Sequence, residues 1–291
     1  MKYTIDGDKI FIPETEDFCP AQILECGQVF RYSRGDDGHY SVNAADKRCE
    51  IVVEKPNENS QNILLNPLFG NVTIYSKECE FFRKYFDLDT DYSIIKKKLN
   101  ENAALKEAVE FGKGIRILRQ DRFETIISFI ISANNNIKRI QKIIEGLCSG
   151  LGEDKNGYFA FPTVEKLAAQ SVEYYRSRGL GYRAEYVLKT ARAVAGGFDL
   201  DLSGLNSAEA RKYISKLSGV GPKVADCILL FGYGITDVFP TDVWIERVYG
   251  DLFGDGINLT RLEKSKRLTD GFKELSGYAQ QYLFYAKRSG K

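Results

Sequence analysis

The feature that most constrains the fold is a change of hydrophobic period near residue 78. Before it, the chain breaks into short segments rich in β-branched and aromatic residues: KYTIDGDKIFIP (2–13), GQVFRYS (27–33), HYSVNAA (39–45), RCEIVVE (48–54) and GNVTIYS (70–76). Gly, Asp and Asn separate them, so they read as strands joined by short turns, which implies an antiparallel sheet. After it, ECEFFRKYFDL (78–88), YSIIKKKL (92–99) and NAALKEAVEFG (102–112) repeat apolar residues at steps of three and four. That is helical spacing. RFETIISFIISA (122–133) predicts a buried helix, and NIKRIQKIIEGLCSGLG (136–152) an amphipathic one ending at glycines. Further helical patterns, TVEKLAAQ, SVEYYRSRG, YRAEYVLKTARAVAGG and SAEARKYISKL, follow, several opening on a Ser or Thr able to cap the first turn.

The expected fold class is therefore α+β: an antiparallel β domain over residues 1–113, then a mostly helical two-subdomain region over 114–291. Residues 1–113 carry 15 Lys+Arg against 20 Asp+Glu, whereas 114–291 carry 26 against 20. The second part is the one expected to meet an anion. With 43% hydrophobic and 28% charged residues, the chain reads as a folded protein able to bury a core. No apolar run approaches the roughly 18 residues of a membrane span, and MKYTIDGDKI lacks the apolar core of a signal peptide. The expected location is the cytosol, with the nucleus open for a eukaryotic chain.

Chemistry is narrowed by count. Six cysteines (Cys19, Cys26, Cys49, Cys79, Cys148, Cys227) are scattered without a C-x-x-C pair, which argues against zinc or an iron–sulfur cluster. The only histidine is His39, so a Ser–His–Asp triad and a multi-histidine metal site are excluded. Catalysis must run on Lys, Asp, Glu, Tyr or Cys.

The richest stretch is SAEARKYISKLSGVGPKVADCILLFGYG, two helical patterns joined by a glycine turn, a hairpin over about 208–233. Gly219 and Gly221 permit positive φ and close approach of another backbone. Pro222 suits the first turn of a helix, whose free N–H groups can receive a phosphate. The spacing is not that of a P-loop, since Val follows Lys223. The pattern L-x-G-V-G-x-K resembles the helix–hairpin–helix of DNA-binding proteins. With Pro240 and Asp242 standing 17 and 19 residues after Lys223, it resembles the helix–hairpin–helix glycosylase superfamily. CGQVFRY (26–32), GIRILRQDRFETIISFIISANNNIKRI (114–140), GLGYRAEYV (179–187), LSGVGPKVADC (217–227) and YAQQYLFYA (278–286) look like successive blocks of 8-oxoguanine DNA glycosylases, in family order.

That resemblance implies a bifunctional glycosylase and AP lyase of base excision repair, a monomer whose partner is duplex DNA bearing oxidised guanine. It implies Lys223 as the amine that attacks the sugar and Asp242 as the carboxylate that stabilises the oxocarbenium-like centre. Gly27 would accept from the N7–H of 8-oxoguanine, Gln280 would read the Watson–Crick edge, and Phe284 and Cys227 would sandwich the base. Asn134, Arg139, Tyr182 and Arg183 would fill the gap and contact the orphaned cytosine. Taken alone, Phe284 and Cys227 read as core residues, Gly27 as a strand bulge, the NNN run as a helix cap and Asp242 as an N-cap. Trp244 departs from the family, where relatives often carry a histidine near the 5′ phosphate; indole donates one hydrogen bond and has no charge. The family's hairpin also holds a monovalent cation through backbone carbonyls, here of Ser215, Leu217 and Val220, and needs no other cofactor.

Two readings stay open beside this one. A relative acting on alkylated bases would activate water and need no Lys223, and a non-catalytic duplex-binding module would use the hairpin only to grip phosphates. An adenine or thymine-glycol glycosylase fits less well, because the C-terminal four-cysteine cluster of those families is missing.

Overall fold

The computed structural model describes residues 1–36, 38–54, 70–254 and 259–290, which form two compact units. The first comprises 1–43, 47–119 and 278–291; the second comprises 44–46 and 120–277. The expected boundary at 113/114 differs from this division. The segment up to Arg119 stays with the sheet unit, and so does the C-terminal helix from Tyr278 onward.

The first unit opens with β1 (Thr4–Asp6) and β2 (Lys9–Ile12), a hairpin turned at Gly7 with φ +56°. The single stretch KYTIDGDKIFIP is thus two strands. A short helix, α1 (Pro20–Glu25), follows, which the strand-like reading of this region missed; proline at its first turn starts it. Next come β3 (Tyr32–Arg34), β4 (Tyr40–Ala44), β5 (Lys47–Glu54), β6 (Asn71–Tyr75) and helices α2 (Cys79–Tyr85), α3 (Tyr92–Leu99) and α4 (Lys106–Phe111). The six strands make one sheet in the order β1-β2-β6-β5-β4-β3, and the pairs β1–β2, β2–β6, β3–β4 and β5–β6 run antiparallel. Ile10, Ile12, Val42, Cys49, Ile51, Val72 and Ile74 are buried from these strands, the one-in-two spacing of a sheet with one packed face. Arg116 is wholly buried here, stacked 4.0 Å from the ring of Tyr92 and donating to the carbonyls of Phe86, Asp17, Asp87 and Thr90.

The second unit is helical: α5 (Arg122–Ser132), α6 (Ile137–Leu151), α7 (Val164–Ala168), α8 (Val172–Ser177), α9 (Arg183–Ala195), α10 (Ser207–Ile214), α11 (Pro222–Tyr233), α12 (Val243–Phe253) and α13 (Arg261–Phe272). The last helix, α14 (Ser276–Arg288), carries the chain back into the first unit. Helix α5 is the core, with every residue from Phe123 to Ile131 buried. Polar side chains begin most of these helices. Thr163 caps α7, Ser171 caps α8 and Thr260 caps α13; Asn206, not the expected Ser207, caps α10. Among the described residues, no helix is long and apolar enough to cross a membrane.

Candidate functional site

In the second unit, α10 and α11 form a helical hairpin joined by 215–221. Asp226 and Arg211 bind its arms together at 2.5 Å, and Ser265 donates to the same carboxylate at 3.5 Å. Asp226 is buried, and burial raises its pKa while Arg211 opposes the rise. An acid in an otherwise apolar helix was the sequence signal for this brace, and it was overlooked. In the turn, Gly219 has φ +83°. A Cβ built on it would stand 2.8 Å from the Cβ of Tyr186 on α9. Its missing side chain therefore admits this chain's own α9, not another molecule's backbone as expected. Gly221 is the open one: nothing lies within 4 Å of its Cβ position, and it caps α11 without any side-chain acceptor. The first-turn N–H groups of α11 are thus left for an anion.

Lys223 enters on that first turn, half-buried, with Nζ 5.6 Å from the ring centroid of Phe129. Phe129 is itself stacked on Phe231 of α11, which fixes the ring. One turn on, Cys227 is buried, and burial pushes its thiol up to about 11. The charge of Lys223 pulls the other way, while Asp226 and Asp242 reinforce the rise. Lys223 and Asp242 are both among the charges felt at Cys227. Asp242 caps α12: Oδ1 accepts from the N–H groups of Trp244 (3.0 Å) and Ile245 (3.1 Å). Oδ2 accepts no hydrogen bond from the described residues. Cap and free carboxylate oxygen coexist in one side chain. A cleft of about 410 Å³, lined by Gly221, Lys223, Asp226, Thr241, Arg261 and Ser265 among others, opens beside the hairpin.

Two loops of the same unit bring the four expected gap-filling residues together. Asn134 has φ +50°, and Asn136 caps α6 through the N–H of Arg139, so the NNN run is a cap as well as a turn. Across from it, Tyr182 is 55% exposed, and its hydroxyl donates to the Ala133 carbonyl at 3.3 Å. Arg139 is exposed and donates to the Gly179 carbonyl at 3.0 Å. Arg183 departs from the expectation of a free base reader. It is 3% exposed, and its guanidinium donates to Ala133 (2.6 and 2.8 Å), Asn134 (2.7 Å) and Leu180 carbonyls. It braces the two loops because those carbonyls, turned inward, need donors.

In the first unit, Gly27 follows α1 with φ +87°, in a turn and not a strand bulge. A Cβ there would lie 3.3 Å from the ring of Phe284 and 3.0 Å from Nη1 of Arg288. Helix α14 holds this turn: Arg288 donates to the Glu25 carbonyl at 2.7 Å and Gln281 to the Cys26 carbonyl at 3.1 Å. The next carbonyl, that of Gly27, accepts no hydrogen bond from the described residues. Gln28, buried next to it, donates to Ile23 and Arg116 carbonyls and accepts from the N–H of Leu118. Gln280 is 5% exposed, and its Oε1 has no hydrogen-bond partner among the described residues. An orphaned buried amide oxygen costs roughly 1–3 kcal/mol, a cost natural structures keep where a ligand will meet it. Gln281, Gln28 and Arg288 were not singled out from sequence, since each acts through contacts made only in the folded unit.

Among the described residues, no group of three or more His, Cys, Asp or Glu side chains is placed to hold a metal ion, and all six cysteines are free and buried. In the hairpin, the carbonyls of Ser215 and Val220 accept no hydrogen bond from the described residues, while that of Leu217 accepts from the Val220 N–H at 3.2 Å.

A glycine-turned helical hairpin with an amine on its second helix and a capping aspartate on the next defines a helix–hairpin–helix base-repair fold. Residues 9–126 match the family described as 8-oxoguanine DNA glycosylase, N-terminal domain, and residues 127–273 match the HhH-GPD superfamily base excision DNA repair protein. The N-glycosylase/DNA lyase of Saccharomyces cerevisiae is 33% identical over 267 residues, 82% of this chain and 69% of that protein. The solved structure of MBOgg1 in complex with a low-affinity DNA ligand superposes with a TM-score of 0.88 at 37% identity, covering 100% of both chains. The Clostridium acetobutylicum 8-oxoguanine glycosylase/lyase, in complex with double-stranded DNA containing cytosine opposite 8-oxoguanine, superposes at 0.87 with 37% identity, covering 100% of this chain and 98% of that one. The chain belongs to the HhH-GPD superfamily of base excision DNA repair proteins, and within it to the N-glycosylase/DNA lyase family.

Proposed function

We propose that the protein excises 8-oxoguanine from duplex DNA, opposite cytosine, and then cleaves the strand as an AP lyase. The observation that carries this reading is Lys223 on the first turn of α11, where the N–H groups are open, with Asp242 capping the next helix through one carboxylate oxygen only. As the free amine, Lys223 Nζ attacks C1′ of the extruded nucleotide. The C1′–N9 bond breaks, and the base leaves with the electron pair and takes up a proton. Asp242 Oδ2 faces the positive charge that develops on the sugar. The attached amine loses a proton, and the C1′–O4′ bond opens to give a Schiff base. Loss of a C2′ proton then expels the 3′ phosphate oxygen and cuts the strand.

Base choice falls to the first unit. The open carbonyl of Gly27 accepts from N7–H of 8-oxoguanine, which guanine lacks. The orphaned Oε1 of Gln280 accepts from a donor on the Watson–Crick edge, and Phe284 takes a face of the ring. Asn134, Tyr182 and Arg139 occupy the vacated duplex position, and Arg183 holds their loops. Gly221 and the α11 N-terminus receive a backbone phosphate. The carbonyls of Ser215, Leu217 and Val220 suit a monovalent cation, whose charge would favour the same phosphate; no other cofactor enters this scheme. The enzyme works as a monomer in the compartment that holds the chromosome.

Borohydride trapping tests the reading. A duplex bearing 8-oxoguanine opposite cytosine should become covalently linked to the protein, and an unmodified duplex should not. Excision without trapping would make the enzyme a water-activating glycosylase, and binding without either would make it a duplex-binding module.

A further inference from the structure

Helix α12 carries an arginine that no part of this scheme uses. The guanidinium carbon of Arg247 lies 4.7 Å from the ring centroid of Trp244, three residues earlier on the helix. Trp244 is half-buried and is the chain's only tryptophan; Arg247 is exposed. Among the described residues Arg247 has neither a carboxylate partner nor a hydrogen bond. Its neighbour Glu246 does not neutralise it, because that carboxylate is held by Arg261 at 2.5 Å and Lys264 at 3.9 Å. Among the described residues the positive charge is therefore left without an ion-pair partner, and the indole face restrains it.

The placement matters because Asp242 caps this helix. Helical side chains lean toward the N-terminus, and Arg247 lies back over Trp244 in the same way. Five residues of helix rise about 7.5 Å, so Arg247 and the capping aspartate lie at the same end of α12. A nucleotide with its C1′ at Lys223 and Asp242 has a phosphate on either side of that sugar. Trp244 is uncharged and cannot pair with one.

We propose that Arg247, held on the face of Trp244, binds a DNA backbone phosphate beside the extruded nucleotide. The inference rests on the glycosylase reading.

The test uses the full chain and a duplex with a tetrahydrofuran abasic-site analogue opposite cytosine, titrated at several KCl concentrations. Arg247→Gln should weaken binding about 5- to 10-fold at low salt and lower the slope of log K against log[salt] by about 1, one phosphate contact fewer. Arg247→Lys should restore the slope but only part of the affinity, because an ammonium neither stacks nor forks. Duplex binding should change the emission of Trp244 in the wild type and change it less in Arg247→Gln. Thermal unfolding should be the same in all three proteins, since the side chain is exposed. A wild type that binds and excises, beside an Arg247→Gln variant with an unaltered salt slope, overturns this inference alone. A wild type that binds no lesion duplex overturns the glycosylase reading and this inference with it.

Discussion

Tyr186 lies across Gly219 so closely that a β-carbon on the glycine would stand 2.8 Å from the tyrosine's own Cβ. The contact joins α9 to the hairpin turn, and Thr190 strengthens the join by donating to the Ser218 carbonyl at 2.9 Å. On its other side Tyr186 meets Tyr182 edge-on, with centroids 6.0 Å apart. The exposed wedge and the hairpin that bears the amine thus share one aromatic support.

Gly219→Ala should destabilise the protein by about 2–4 kcal/mol, combining a positive-φ penalty with a clash that no rotamer relieves. Gly221→Ala, at φ −82° and facing open space, should cost less than about 1 kcal/mol. Urea unfolding of both variants distinguishes them. Equal costs would mean that the turn relaxes freely around α9.

Lys223→Gln should abolish excision and borohydride trapping while leaving affinity for lesion duplex within a few-fold. Glutamine keeps a polar tip but has no nucleophilic amine. Single-turnover excision measures the loss, and near-normal rates in the variant would remove Lys223 from the chemistry.

The two jobs of Asp242 can be separated. Asparagine caps a helix about as well as aspartate, so Asp242→Asn should change stability by less than about 0.5 kcal/mol, whereas Asp242→Ala should cost about 1 kcal/mol. Both should lower the excision rate by roughly 100- to 1,000-fold through loss of the carboxylate charge. Thermal melts beside single-turnover rates give the comparison; a fast Asn variant would leave Asp242 a cap only.

Arg139 and Arg183 should fail in different ways. Arg183→Ala removes the buried donor of the part-buried carbonyls at Ala133 and Asn134 and should destabilise the protein by about 1–3 kcal/mol. Arg139→Ala gives up one exposed bond and should cost less than about 1 kcal/mol. It should instead flatten the preference for 8-oxoguanine opposite C over A, by roughly 5- to 150-fold if the base contact is well formed. Excision rates against both opposing bases, with urea unfolding, decide between the roles.

Stability should fall on the alkaline side. Burial pushes the Cys19, Cys26 and Cys227 thiols up to about 11, and that of Cys49 well above its ordinary value. In the unfolded chain the same thiols ionise near about 8.5. A raised folded-state pKa stabilises fully below the unfolded value, and that contribution is lost as pH rises through the folded one. The expected loss is on the order of 1–2 kcal/mol per thiol by pH 10. Urea midpoints at pH 7.5, 9 and 10 in the presence of reductant measure it; a flat profile would mean that water reaches these thiols.

Local pattern carries a great deal in this chain. The change of period at residue 78 separates sheet from helices because strand and helix spacing are properties of neighbouring residues. The hairpin, Lys223 and Asp242 were legible for the same reason: turn, amine and cap sit within one contiguous stretch, and glycine, proline and aspartate mark it. Helix α1 was not legible, since six residues are too few to show a period. The assignment of α14 to the sheet unit, the burial of Arg183 and the open carbonyl of Gly27 were decided only in three dimensions. Gly27 meets Phe284 across more than 250 residues of chain, and no sequence period spans that distance. Sequence alone set which residues could form each element. Whether a given arginine faces solvent or a buried carbonyl was set by packing, because an inward-turned carbonyl must find a donor and takes the one its neighbours bring within reach.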